Sequence, residues 1–215
     1  VEAYDALAPL YSEYSENRRN YLSAVDALVL ENIPYDIRLL DIGAGDGRRL
    51  QKIQTNRTPT EIIAIEPSPE MARICKANVG CEIYQTFGED LGELNIGKFD
   101  VITALWNVFG HIGTREKRLM TLKNIVGKLS KDGLVMLDVN NRHNAASYGF
   151  VNVLKRKIID KFNFDERRGD ASYDWKIGDT TFKGSGHLFT PEEIQALFKE
   201  AGLRVVQRYS IDYTS

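Results

Sequence analysis

Short apolar runs alternate along the chain with stretches in which apolar residues return every three or four positions. The runs at Arg38–Ile42, Ile62–Ile65, Glu82–Tyr84, Asp100–Leu105 and Leu134–Val139 predict five strands, and Leu203–Tyr209 predicts a sixth. The stretch from Tyr4 to Pro34 reads as two helical pieces. Pro9 breaks the first, and Tyr21, Leu22, Val25, Leu28 and Val29 mark the buried face of the second. A short helix through Leu50 and Ile53 follows the first strand. Another opens at Ser68-Pro69, where serine can cap and proline suits the first helical position. A third runs from about Thr114 to Leu129 with Leu119, Leu122, Ile125, Val126 and Leu129 inward, and Asp132-Gly133 turns the chain into the fifth strand. The last helix opens at Thr190, spaced from Glu193 as in a capping box, buries Ile194, Leu197, Phe198 and Ala201, and ends at Gly202. This alternation is that of βαβ units. It predicts a doubly wound α/β fold, a mostly parallel sheet with helices on both faces.

Residues 140–189 break the rhythm. Tyr173, Trp175 and Ile177 alternate, Gly178-Asp179 follows, then Thr180 and Phe182, which predicts an inserted β-hairpin with a type II′ turn. The runs "KRKIIDKF" and "DERR" in the same segment read as solvated helix or loop faces rather than an RNA groove.

Composition narrows the classes. The chain has 215 residues, 43% hydrophobic and 10% aromatic, enough for one domain with a real core. A net charge of −2 argues against a broad nucleic-acid footprint. No apolar run is long enough to span a bilayer and no signal peptide is evident, so a cytoplasmic protein without a membrane partner is expected. Cys75 and Cys81 lack metal-site spacing and a histidine partner. They read as free, packed thiols, and no metal is expected.

The chemistry concentrates in "LLDIGAGDGRRL" at Leu39–Leu50. Gly43, Gly45 and Gly47 allow a sharp turn after a strand, and the helix behind them points free N–H groups at a ligand. A dinucleotide loop would want a further glycine where Arg48 stands, and a P-loop would end Gly-Lys-Ser/Thr. Asp41 and Asp46 disfavour a bare pyrophosphate and suit an ammonium or sulfonium ligand. Glu66 ends the second strand, where an acid can take two ribose hydroxyls.

Together these stretches resemble a class I S-adenosylmethionine-dependent methyltransferase of the small-molecule type. "LLDIGAGDGRRL" resembles the family's first motif, "IIAIEPSPEM" its second, and "QTFGEDL" the segment lining the adenine. "FDVITALWNVFGHI" resembles the fourth motif and "LSKDGLVMLDV" the fifth strand with its lead-in. "HLFTPEEIQALFKEAGL" resembles the late helix of small-molecule members. The resemblance implies that Gly43, Ala44, Gly45, Asp46 and Gly47 meet the methionine and ribose portions, with Asp41 orienting the loop or the ammonium. It implies that Glu66 holds the ribose, that Pro67 and Met71 pack beside the adenine, and that Phe87, Gly88 and Glu89 flank it. Leu105, Trp106 and Asn107 would close over the methionine end, with Tyr4 and Tyr11 folding over the cofactor.

On this reading one domain spans 1–215. It comprises an N-terminal helical lid at 1–35, the cofactor core at 36–140, an acceptor cover at 140–189 and the last helix and strand at 190–215. The family often has an acid where Phe87 stands, so that contact to the adenine amino group is lost. The family sheet also ends on an antiparallel seventh strand, so the resemblance implies a missing C-terminal end.

A methyl acceptor needs a base only if it must lose a proton. His111 and His143 follow the fourth and fifth strands and are the candidates, with His187 behind them. The expected activity is methyl transfer to N or O, or to carbon, of a small molecule. RNA or protein methylation, a non-catalytic S-adenosylmethionine-binding regulator and a nicotinamide oxidoreductase are the rivals. Acceptor identity and oligomeric state stay open.

Overall fold

The computed structural model describes residues 1–177 and 180–211. It opens on α1 (Glu2–Leu7), α2 (Tyr11–Glu16) and α3 (Arg19–Asn32). Pro9 lies in the 3-10 turn between α1 and α2, and a second break at Asn17–Arg18 makes three pieces where the pattern predicts two. There follow β1 (Arg38–Ile42), α4 (Arg48–Arg57), β2 (Glu61–Ile65), α5 (Pro69–Val79), β3 (Glu82–Tyr84) and β4 (Phe99–Ala104). Next come α6 (Arg115–Lys128) and β5 (Leu129–Leu137). These strands form one parallel sheet in the order β3-β2-β1-β4-β5.

Side chains alternate across the strands, so each strand feeds two cores. Leu40, Ile42, Ile63, Ile65 and Ile102 face a core completed by Leu122 and Ile125 of α6. Leu39, Ile62, Ala64 and Val101 face the opposite core, completed by Val25 and Val29 of α3, Leu50 and Ile53 of α4, and Cys75 and Val79 of α5. Cys75 and Cys81 are both buried and free.

Gly47 shows how tightly the turn after β1 is packed. It has φ +79°, and a Cβ there would lie 2.8 Å from Cys75 Sγ and 2.9 Å from Val79 Cγ2. It therefore does the close-packing work that a dinucleotide fold assigns to a later glycine, at the position where this chain carries Arg48. Gly47→Ala combines a left-handed side chain with overpacking, and the expected loss of stability is about 2 kcal/mol. Urea unfolding measures it, and an unchanged midpoint would contradict the packing described.

Three expectations need correction. The Asp132-Gly133 turn is a bulge inside β5. Phe99 pairs with Leu129 and Val101 with Leu134, and Asp132 takes φ +65° to absorb the extra residues. Residues 203–209 form no strand. They make no ladder among the described residues, and Val205 and Val206 are exposed, because alternation alone cannot hold a strand without a neighbouring edge. The inserted segment is more than a hairpin, since it also folds α7 (Ala145–Tyr148) and α8 (Phe150–Phe162).

The hairpin itself, β6 (Asp170–Ile177) and β7 (Thr180–His187), pairs antiparallel with Ile177 opposite Thr180. Its predicted Gly178-Asp179 turn and the Trp175 side chain lie outside the described residues. α9 (Pro191–Ala201) closes the fold behind the Thr190–Glu193 capping box.

Candidate functional site

The carboxyl ends of β1, β2 and β4 meet at one edge of the sheet, where α/β folds place their ligands. There a cavity of about 1070 Å³ opens between the glycine loop, α1, α2 and the β6–β7 hairpin. That volume suffices for a nucleoside-sized cofactor with a small second ligand beside it.

β1 delivers the loop. Gly43, Gly45 and Gly47 all have positive φ, and the Gly43 N–H donates to the Ile65 carbonyl at 2.7 Å, which ties the loop to β2. A Cβ on Gly45 would meet Tyr11 at ordinary contact distance, 3.5 Å from its hydroxyl, so Tyr11 of α2 lies directly over the loop. Glu66 follows β2 and is 6% exposed. One of its oxygens accepts the Gly45 N–H at 2.8 Å and the other the Ser68 N–H at 2.9 Å. Each oxygen keeps a second lone pair, and Glu66 lines the cavity. Burial pushes its carboxyl above the usual range, against the pull of those two backbone donors. An acid with one free acceptor site on each oxygen suits the two adjacent hydroxyls of a ribose.

The N-terminal helices grip this edge through Tyr11 and through Asp5, Ser15 and Tyr14, the last three not singled out by sequence pattern. Ser68 Oγ donates to Asp5 of α1 at 2.5 Å. Arg48 bonds Asp46 at 2.5 Å and Ser15 Oγ of α2 at 2.6 Å, so the loop acid faces a cation of its own. Tyr11 and Tyr14 pack on Trp106 with ring centroids 5.4 and 5.7 Å away.

Trp106 and Asn107 both adopt left-handed φ, 66° and 57°, a conformation non-glycine residues hold only when their surroundings enforce it. Asp138 is what enforces it. It accepts the Asn107 N–H at 2.6 Å and the Tyr21 hydroxyl, while Asn107 Oδ1 accepts the Asn140 N–H at 2.9 Å. The signal for Asp138 was present in the sequence. It is an acid just past the fifth strand, as Glu66 is just past the second.

Ala44, Pro67, Phe87, Gly88, Glu89 and Leu105 also line the cavity with the residues above, and Lys117 pairs with Glu89 at 3.0 Å. Three of the residues predicted to meet the cofactor are elsewhere. Gly47 is turned into α5, Met71 is fully buried in α5, and Asp41 lies beneath the loop, 3% exposed. Asp41 sits beside Thr103 in the β1–β4 register and accepts its hydroxyl at 2.6 Å. Burial raises its pKa to about 6.

A carboxyl raised above its ordinary 3.8 carries a stability cost that grows as pH rises from there through 6. Asp41→Asn, which cannot ionise, is therefore expected to stabilise the unliganded protein at pH 7.5 by about 1 kcal/mol, or about 2–4 °C in Tm. The gain should shrink towards pH 4. Thermal melts across that range check it, and a constant difference would contradict the assignment.

The three histidines separate. His111 lines the cavity, and its Nδ1 lies 3.0 Å from the Ser185 carbonyl, so Nδ1 carries the proton. Nε2 is then the acceptor, 3.2 Å from the Tyr4 hydroxyl. Burial lowers the His111 pKa, which favours the neutral ring. His143 instead bonds Asp160 of α8 at 2.8 Å and is not on the cavity wall. His187 reaches the wall, but its two nitrogens face Asp170 and Glu193 at 2.7 Å each, so neither is free to act as a base. Among the described residues no group of three potential ligands could hold a metal ion.

Residues 14–208 match the family model for a methyltransferase domain. No protein of curated function matches the sequence. Among solved structures, the DhpI–SAM–HEP complex aligns at 15% identity over 93% of this chain and 85% of that one, with a TM-score of 0.66. The sugar N-methyltransferase KedS8 from a Streptoalloteichus species aligns at 17% identity over 84% and 77%, with a TM-score of 0.57. A putative methyltransferase solved in complex with the Haloferax volcanii Trm112 methyltransferase activator aligns at 17% identity over 95% and 77%, with a TM-score of 0.63.

Proposed function

We propose that this chain, which belongs to the class I S-adenosylmethionine-dependent methyltransferase family, methylates a nitrogen or oxygen of a small molecule in the cavity over its glycine loop. The observation that carries the reading is Glu66, a buried carboxylate bridging the glycine loop and the β2–α5 turn with an acceptor site left on each oxygen. The residues present fit the cofactor, with Glu66 for the ribose hydroxyls, the glycine loop lining the cavity beneath Tyr11 for close backbone approach, and Phe87 with Gly88 beside the base.

When bound, S-adenosylmethionine supplies a methyl group already made electrophilic by its sulfonium. The protein has to orient the acceptor and exclude water, and orientation is worth up to about 7–11 kcal/mol in favourable cases. Tyr11, Tyr14 and Trp106 wall the site from solvent, and Asp138 holds Trp106 and Asn107 in place. α1 and the hairpin meet over the other end, where Leu7 packs on Phe182 and Tyr4 on His111. That closure favours a small acceptor. His111 Nε2, neutral and accepting from the Tyr4 hydroxyl, takes the proton an acceptor must lose once that acceptor displaces the hydroxyl. On this proposal the lid is residues 1–35, the cofactor core 36–140 and the acceptor cover 140–189.

A second reading is favoured by the likeness to the methyltransferase solved with its Trm112 activator: a protein partner for this chain. Calorimetry tests the cofactor. S-Adenosylhomocysteine should bind and NADH should not, and the reverse would overturn the proposal.

A further inference from the structure

Helix α8 turns the wrong face outward. Of its 13 residues only Val153 is buried. Phe150, Leu154, Ile158 and Phe162 recur every fourth position, forming one stripe, and are 72%, 46%, 51% and 81% exposed. Val151 widens the stripe and is exposed too. Lys155, Lys157 and Lys161 flank it, all exposed, with no carboxylate within ion-pair distance among the described residues. The only acid of the helix, Asp160, points inward to Arg142 at 2.7 Å and His143 at 2.8 Å. The polar anchors of α8 therefore face the protein and its apolar residues face solvent.

We propose that α8 docks this protein on an anionic lipid surface. An apolar stripe edged by lysines is what an interfacial helix presents. The stripe sinks to the acyl boundary while the lysines reach back to anionic headgroups. At 1.5 Å per residue the helix is about 20 Å long, too short to span and suited to lying flat. Phenylalanines at both ends give it two deep anchors.

The charge pattern selects against a second copy. A two-fold contact would set the same patch against itself and bring two unpaired lysine flanks together. The positive flank is local, since the chain as a whole carries −2, so it marks this face for an acidic surface. Tyr148, which stacks under Arg156 at 4.7 Å beside the start of α8, also lines the cavity, so docking would hold one side of the cavity close to the bilayer. The expectation of no membrane partner rested on the absence of a spanning segment, which a peripheral helix does not need.

Co-sedimentation with phosphatidylcholine vesicles, with and without phosphatidylglycerol, tests this. The full chain should bind only the anionic vesicles, and more weakly at high salt. Leu154→Ser with Ile158→Ser should cut partitioning at least about tenfold, and Lys155→Glu with Lys157→Glu and Lys161→Glu should abolish it. Both variants should keep the wild-type melting temperature and S-adenosylhomocysteine affinity. No binding to anionic vesicles, equal binding by the variants, or a dimer that the Leu154→Ser, Ile158→Ser variant dissolves would each overturn the proposal. The last outcome would assign the face to a second copy, and absence of vesicle binding without a dimer would leave it to a protein partner.

Discussion

Glu66→Ala is expected to weaken S-adenosylhomocysteine binding about 100-fold. The substitution removes two charge-assisted hydrogen bonds to the ribose, each worth about 1.5 kcal/mol, and about 3 kcal/mol corresponds to that factor. It also frees the Gly45 and Ser68 N–H groups, which Glu66 holds at 2.8 and 2.9 Å, so part of the loss is a less ordered loop. Glu66→Gln separates the two contributions. It keeps one acceptor oxygen and removes the charge, so an intermediate loss of about tenfold is expected. Calorimetry reads both. Unchanged affinity in Glu66→Ala would place the ribose elsewhere.

His111→Asn should lower the methyl-transfer rate about 100-fold, the low end of what a positioned base contributes, while S-adenosylhomocysteine affinity stays near wild type. The pH profile distinguishes a base from a structural contact. Burial holds the His111 pKa below its usual 6.5, so the neutral ring persists at neutral pH. The wild-type rate should be flat there and fall only as pH drops below 6.5, when Nε2 takes a proton and can no longer accept one. The Asn variant should lose that acid limb. A wild-type profile with no acid limb, or a variant that turns over normally, would remove His111 from proton transfer. Asn107 and Trp106 would then act with the aromatic wall by orientation alone.

The parallel sheet was legible because its strands are short apolar runs buried on both faces, and burial on both faces leaves little freedom of assignment. The Leu39–Ile42 and Ile62–Ile65 runs appear in the structure as β1 and β2 with consecutive residues feeding opposite cores. Leu203–Tyr209 has the composition of a strand, but a strand also needs a hydrogen-bonding edge, which composition does not report. α8 is legible in the fourfold recurrence of Phe150, Leu154, Ile158 and Phe162, but the lysines and Asp160 set among them give Lys155–Phe162 the composition of a charge run, and periodicity does not report which face is buried.

At the site, Glu66, the glycine loop and His111 could be placed from strand ends alone. The contacts that arrange them span long stretches of chain, from Asp5 to Ser68, Ser15 to Arg48 and Tyr21 to Asp138, and no local spacing encodes them. His143 and His187 illustrate the same limit. Both follow sheet elements as His111 does, yet each is held by carboxylates that only the fold brings near.

The most direct test is methyl transfer itself. The protein is incubated with S-adenosylmethionine labelled in its methyl group and a fractionated metabolite extract, and products are separated by size. The account predicts label in a small molecule, stable to removal of the protein and absent with Glu66→Ala. Label found only in RNA or protein, or cofactor bound with no transfer to any fraction, would contradict it.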